Sequence, residues 1–154
     1  MNRPLWDTEV NYGDRREGMP QIVPDPQTAA TYVARTYLDS ATLGIGRTYW
    51  YGWDLSVLGI DMVDANGITP AGTAFVTVRS WLTGARPAGC WEAGGLRRCA
   101  FTAADGTAFT VVWATGPDMT VDATGMQVCR IDGTCVDGVP DQVVSRSPVL
   151  LKAT

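Results

Sequence analysis

The chain contains no histidine and a single lysine, Lys152, among its 154 residues. Without an imidazole there is no Ser-His-Asp or Cys-His constellation and no histidine general base. Zinc loses its usual nitrogen ligand, and the four cysteines, Cys90, Cys99, Cys129 and Cys135, lack CxxC spacing, so no metal site is expected. Neither GxGxxG nor a P-loop is present. The nearest glycine pattern, Leu43-Gly-Ile-Gly46, follows a helical run instead of opening one, so it reads as a helix end and no nucleotide or other cofactor is expected. No run reaches the roughly 18 apolar residues of a membrane span. A net charge of −4, with acidic residues spread along the chain, excludes a basic stripe for nucleic acid. The first residues do not read as a secretory signal, because Trp6-Asp-Thr-Glu9 arrives where an apolar h-region belongs.

What remains is an ordinary globular composition, 45% apolar and 18% charged, in which carboxylates and aromatics are the candidate chemical groups. Leu5 to Val10 reads as a short buried strand ending on Glu9. After a Gly-, Pro- and charge-rich loop from Asn11 to Pro26, Asp25-Pro26 supplies an N-cap and a proline at the first helical position. The spacing predicts a helix to about Leu43, with Ala30, Val33, Tyr37 and Ala41 on one face, ended by Gly44 and Gly46. Arg47 to Asp54 is a dense aromatic strand, and strand–helix–strand at this spacing predicts a parallel βαβ unit. A loop from Leu55 to Ile68 holds the turn Asp64-Ala-Asn-Gly67. A second helix then opens at Thr69-Pro70, carries Ala74, Phe75, Val78, Trp81 and Leu82, and stops at Gly84.

From Cys90 onward the runs are short and β-rich: Leu96–Thr102, Ala108–Ala114, Gly125–Ile131 and Gln142–Leu151, with Asp-Gly turns at 105–106 and 132–133. The fold class expected is therefore α/β plus all-β, with an antiparallel module over roughly the last 65 residues. Four cysteines allow three pairings. Local bridges Cys90–Cys99 and Cys129–Cys135 are preferred, since each pair brackets a turn, Gly94-Gly95 and Asp132-Gly133. They would imply an oxidising, extracytoplasmic location, with any signal lying on sequence outside these residues; otherwise the thiols stay reduced.

Glu9 is the sharpest candidate for catalysis. A carboxylate at the carboxyl end of a buried strand is where α/β barrels keep their chemistry, and the plain alternative is a surface glutamate at a strand end. Tyr49, Trp50, Tyr51 and Trp53 crowd the end of the next strand. Indole and phenol rings beside carboxylates suit a sugar cleft, while alternation alone would bury about half of them as core.

Three segments carry a more specific resemblance: Leu5-Trp-Asp-Thr-Glu9-Val-Asn-Tyr12, the helix Ala29-Ala-Thr-Tyr-Val-Ala-Arg35-Thr-Tyr-Leu, and Arg47-Thr-Tyr-Trp50-Tyr-Gly-Trp-Asp54. In order, they resemble the last quarter of a clan-A glycoside hydrolase, nearest to the family 39 and family 5 types. Asp64-Ala-Asn-Gly-Ile-Thr-Pro70-Ala-Gly-Thr-Ala resembles the segment that leads into helix eight of such enzymes. The β-rich end, closing in Ser147-Pro148-Val-Leu-Leu, resembles the small β-sandwich appended to many of them.

The resemblance implies that residues 1–86 are the C-terminal portion of a (β/α)8 barrel, its last two βα units, and that residues 87–154 are an antiparallel β-sandwich. It implies Glu9 as catalytic nucleophile and Trp50 as the sugar platform, with Asn11, Tyr12, Tyr51, Trp53 and Asp54 lining the cleft of a carbohydrate substrate. The family's acid/base glutamate, on strand four after an asparagine, has no counterpart here. A barrel domain runs to about 250 residues, and retaining hydrolysis needs two carboxyl groups about 5–5.5 Å apart. The expectation is thus a C-terminal fragment of a retaining, secreted or envelope-associated glycosidase, inactive alone unless another chain supplies the missing barrel portion. Two other readings stand beside it: a non-catalytic glycan- or protein-binding β module with a relic barrel segment, and a truncation product without function.

Overall fold

A computed structural model describes residues 3–55 and 57–154. They form two helices and twelve mostly short strands. The chain divides into two compact units, residues 1–76 and 77–154, with the division falling inside the second helix.

In the first unit β1 (Trp6–Val10) pairs in parallel with β2 (Arg47–Trp50), and α1 (Pro26–Thr42) makes the crossover. The N-cap works as the sequence suggests: Asp25 Oδ1 accepts from the Gln27 and Thr28 backbone N–H groups, both at 3.0 Å. Gly44, in the left-handed region at φ 73°, turns the chain out of the helix. The buried stripe of α1 is Ala29, Ala30, Val33, Ala34 and Leu38. One cluster joins Ala29 and Val33 to Ile60, Met62 and Ala71, with Tyr37, Trp50 and Phe75 packed on it. The long connection after β2 is not all loop. β3 (Val63–Asp64) and β4 (Gly67–Ile68) close a two-residue hairpin in which the Asn66 N–H bonds to Asp64 Oδ1 at 2.7 Å. α2 (Pro70–Leu82) begins there.

Two expectations change in this unit. β1 is not a buried strand, for each of its residues is exposed or half-buried, and Leu5 before it is 68% exposed. Parallel strands are ordinarily buried on both faces; this pair has no further strand beside it among the described residues. The aromatic strand also ends early, at Trp50, because Gly52 at φ 75° bends the chain before Trp53.

The second unit is a six-stranded antiparallel sheet in the order β10-β9-β12-β7-β6-β5. Its strands are β5 (Arg86–Ala93), β6 (Leu96–Thr102), β7 (Ala108–Ala114), β9 (Met126–Arg130), β10 (Cys135–Asp137) and β12 (Val149–Ala153). A separate two-stranded sheet pairs β8 (Met119–Val121) with β11 (Gln142–Val144). Sequence pattern alone leaves β5 unread, since Pro87 and Gly89 interrupt it; the structure absorbs them in a register shift between those two residues. The single run expected over Gln142–Leu151 is two strands in two sheets. A bend through Ser145–Ser147 and Pro148, which lacks an N–H, separates them.

Register explains the cysteines. Cys90, Cys99, Val111, Leu150, Cys129 and Cys135 pair in sequence across the sheet, so they form one row on one face. The disulfides Cys90–Cys99 and Cys129–Cys135 therefore staple the two ends of one row. The opposite face carries Leu96, Val112, Ala114, Val128 and Val149, which share a cluster with Val144, Met119 and Val121 of the two-stranded sheet. Trp113 and its neighbours Val111, Val112 and Ala114 are wholly buried, as a strand covered on both faces requires.

Each bridge closes a short loop, with cysteines 9 and 6 residues apart, so the chain-entropy model assigns each about 2–3 kcal/mol. Replacing either pair by serine should lower unfolding stability by about that amount in urea denaturation. Adding reductant should then cause no further loss at the replaced pair.

Candidate active site

β1 carries one residue more than β2 between the pairs Asp7–Thr48 and Val10–Trp50. This bulge breaks the alternation by which Asp7 and Glu9 would share a face, and bulges of this kind re-aim side chains beside functional sites. Asp7 is half-buried, and its charge acts on Tyr37 of α1. Glu9 is exposed, and its carboxylate makes no hydrogen bond or ion pair with another described residue. It lies next to Val10, which pairs with Trp50, so carboxylate and indole sit at the same end of adjacent strands.

Asn11 holds that end together. Its Nδ2 donates to the Tyr51 carbonyl at 2.8 Å and to the Ile60 carbonyl at 2.9 Å, while Oδ1 accepts from the Tyr12 N–H at 2.7 Å and the Ile60 N–H at 3.2 Å. All four side-chain bonding positions used are thus on backbone. The side chain thereby braces the strand end. A further bond, Tyr51 N–H to the Val10 carbonyl at 2.9 Å, extends the strand pairing past β2.

The aromatics divide into packed and open rings. Trp50 is half-buried against the α1–α2 cluster, and its Nε1 donates to the Ile60 carbonyl at 3.4 Å. Tyr12 stands 6.0 Å from Trp50 and 5.1 Å from Tyr32, centroid to centroid, with its hydroxyl 2.8 Å from Thr36 Oγ1. Tyr51 and Trp53 are 47% and 43% exposed, and Trp53 meets Phe75 edge-on at 5.2 Å. Asp54 is exposed. Tyr49 accepts a bond from Arg47 Nη1 at 3.1 Å, and the Arg47 guanidinium lies 4.7 Å over Trp6. The structure thus brings Glu9, Asn11, Tyr12, Trp50 and Tyr51 to one strand end, with Trp53 and Asp54 following after the Gly52 bend.

The loop after Asn11 was legible in the sequence only as charged. Arg15 spans to Asp61 at 2.7 Å and to the Gly59 carbonyl at 3.1 Å. Arg16 instead grips Asp14, and that hydrogen-bonded guanidinium holds the Asp14 carboxyl down at about 2. Both arginines of this loop are therefore engaged with aspartates. A cavity of about 360 Å³ beside this loop is lined by Arg15, Ile60, Asp61 and Thr69 and by the first turns of both helices at Pro26 and Pro70. Nothing in the spacing of Arg15 and Asp61 marks them as partners. Among the described residues no three His, Cys, Asp or Glu side chains gather as metal ligands would.

Close backbone approach fixes the site's floor. A Cβ at Gly59 would lie 2.2 Å from the Tyr12 carbonyl oxygen and 2.6 Å from the Gly13 Cα. Tyr37, beneath the end of β2, has its phenol pushed up to about 12, first by burial and further by Asp7, against a backbone hydrogen bond with Trp50.

Two outcomes are expected. Asn11→Ala should destabilise the chain by about 1–3 kcal/mol in denaturant unfolding, because it strands backbone groups of Tyr51 and Ile60. Tyr37 is raised in the folded state, so its contribution is fully present below its unfolded pKa near 10 and lost as pH rises through about 12. Tyr37→Phe should flatten the fall of thermal stability over that window, followed by circular dichroism.

No family model matches the sequence, and no curated protein matches it. Among solved structures the fold is similar to one described as a family 39 glycoside hydrolase from the gut symbiont Bacteroides cellulosilyticus WH2. The superposition has a TM-score of 0.67 at 19% sequence identity, and covers 98% of this chain. The chain spans 34% of the length of that structure.

Proposed function

We propose that this chain is the C-terminal portion of a retaining glycoside hydrolase of the family 39 type and carries the nucleophile half of its active site. The observation that carries the reading is the fold likeness over 98% of the chain to a family 39 enzyme, with Glu9 on a bulged strand end beside the aromatic end of its neighbour. In this reading β1, α1, β2 and α2, within residues 1–86, are the last two βα units of a (β/α)8 barrel, and residues 87–154 are its appended β-sandwich. The exposed faces of the parallel pair are then those that the other barrel strands cover.

Glu9 is the nucleophile. Its carboxylate attacks the anomeric carbon as the glycosidic C–O bond breaks, giving a glycosyl ester that water hydrolyses. Trp50 is the platform, its indole fixed by the bond to the Ile60 carbonyl, with Tyr12, Tyr51, Trp53 and Asp54 around the carbohydrate substrate. Asn11 sets the spacing of the two strand ends. The acid that protonates the leaving group needs a second carboxyl about 5–5.5 Å from the first. The nearest acidic neighbour in the strand, Asp7, is separated from Glu9 by the bulge and is half-buried, so we assign the acid to polypeptide outside these 154 residues. The two disulfides fit an oxidising extracytoplasmic setting.

A leaving group that departs without a proton tests the nucleophile separately from the acid. With 2,4-dinitrophenyl 2-deoxy-2-fluoro-β-xyloside or -glucoside, dinitrophenolate leaves with its electron pair and a C1–carboxylate bond forms. The chain should acquire one fluoroglycosyl group on the peptide holding Glu9, read by mass spectrometry, and Glu9→Gln should acquire none. It should not release phenol from simple phenyl glycosides. Labelling at another carboxylate, or no labelling with either sugar, would remove Glu9 from the role.

A further inference from the structure

The two-stranded sheet of the second unit covers only part of the six-stranded one. Leu96, Val112, Ala114, Val128 and Val149 lie under it, in the cluster with Met119, Val121 and Val144. By register, Trp91, Arg98, Thr110 and Leu151 belong to the same face; Leu151 packs at the cluster's margin, and Trp91 and Arg98 continue the row of Val112 and Val149 out toward the β5 edge. There the face stays open. It forms the floor of a groove of about 640 Å³, walled on one side by Thr120 and Asp122 at the end of β8. That volume is within the range of preformed small-ligand sites.

The groove's chemistry narrows the occupant. Trp91 is 48% exposed on β5, and its ring is part of the groove lining. Its direct cross-strand partner is Arg98. Among the described residues the Arg98 guanidinium donates one long bond, to the Ala93 carbonyl at 3.4 Å, out of five N–H donors. Across the groove, exposed Asp122 accepts from the Thr124 N–H on Oδ1 at 2.9 Å, and Thr124 bonds hold its carboxyl below the usual carboxylate range, so it stays an ionised acceptor with lone pairs to spare. One cation faces one anion, so the lining is neutral and holds no patch for a polyanion or a strongly charged peptide. The floor between them is methyl and methylene surface with interspersed threonine hydroxyls.

We propose that this groove is a second carbohydrate site, separate from Glu9, that binds a neutral oligosaccharide. A pyranose ring has an apolar C–H face, which stacks on the Trp91 indole. Its equatorial hydroxyls are both donors and acceptors, so they satisfy Asp122 and Arg98 together, which neither a purely apolar nor a singly charged ligand does. The site lies wholly within the second unit and needs no residue of the first.

Native affinity electrophoresis of the full chain through gels containing soluble xylan, barley β-glucan or carob galactomannan tests this. At least one polysaccharide should retard the chain. Trp91→Ala should weaken that retardation about tenfold or more, as loss of a buried indole contact predicts, and Arg98→Ala should weaken it in the same gel. Trp91→Ala and Arg98→Ala should leave fluoroglycosyl labelling of Glu9 unchanged, so a failure here is distinct from a failure of the nucleophile assignment. Trp91→Tyr, which keeps a ring, should retain partial binding and guards against misfolding of the alanine variant. The inference is overturned if no polysaccharide retards the chain. It is equally overturned if retardation follows Trp50 and not Trp91, or if sedimentation shows Trp91→Ala abolishing self-association instead of glycan binding.

Discussion

Four hydrogen bonds from the Asn11 carboxamide hold the first unit's candidate site in register, and the geometry around Glu9 follows from them. The amide reaches the carbonyls of Tyr51 and Ile60, and residues 40 and 49 positions away in sequence are thereby fixed against the end of β1. Gly59 lets that backbone come close enough for the bonds to form, since any side chain there would strike the Tyr12 carbonyl. With Ile60 held, its carbonyl also receives the Trp50 indole N–H. Brace, close approach and indole bond thus share one short stretch of backbone. An amide suits the position because it offers donors and an acceptor together, and an aspartate could not donate to two carbonyls.

Around that brace, burial is uneven. α1 and α2 share a closed apolar cluster, while β1 and β2 present exposed rings at Trp6 and Tyr49, and Leu5 is exposed just before β1. Parallel strands normally derive stability from cover on both faces, so an open parallel pair is a surface built for further packing. The bulge in β1 adds a local consequence: it separates half-buried Asp7 from exposed Glu9, whose carboxylate has no partner among the described residues. Two carboxylates two residues apart acquire unlike surroundings in this way.

The second unit follows a different logic, in which register does the organising. A single row of six residues places both disulfides on one face, and the other face is left to the hydrophobic cluster and the open groove. Short strands with frequent turns bury little area each, and covalent closure of two local loops compensates for that.

Much of this was legible from local chemistry. The Asp25-Pro26 and Thr69-Pro70 helix starts, the glycine stop at Gly44, the parallel strand–helix–strand order and both local cysteine pairs depend on neighbours within a few residues, where propensity and capping operate. Pattern reading failed where the deciding partner was distant. It did not see β5, whose Pro87 and Gly89 are accommodated only by pairing with β6, nor the splitting of Gln142–Leu151 between two sheets. It named Glu9 and Trp50 as residue types at strand ends. The bulge that isolates Glu9, the bracing role of Asn11 and the Arg15–Asp61 pair were decided by tertiary structure alone. Hydrogen-bond partners 40 or more residues apart leave no periodic trace in a sequence; they exist only once the loops that carry them have been brought together.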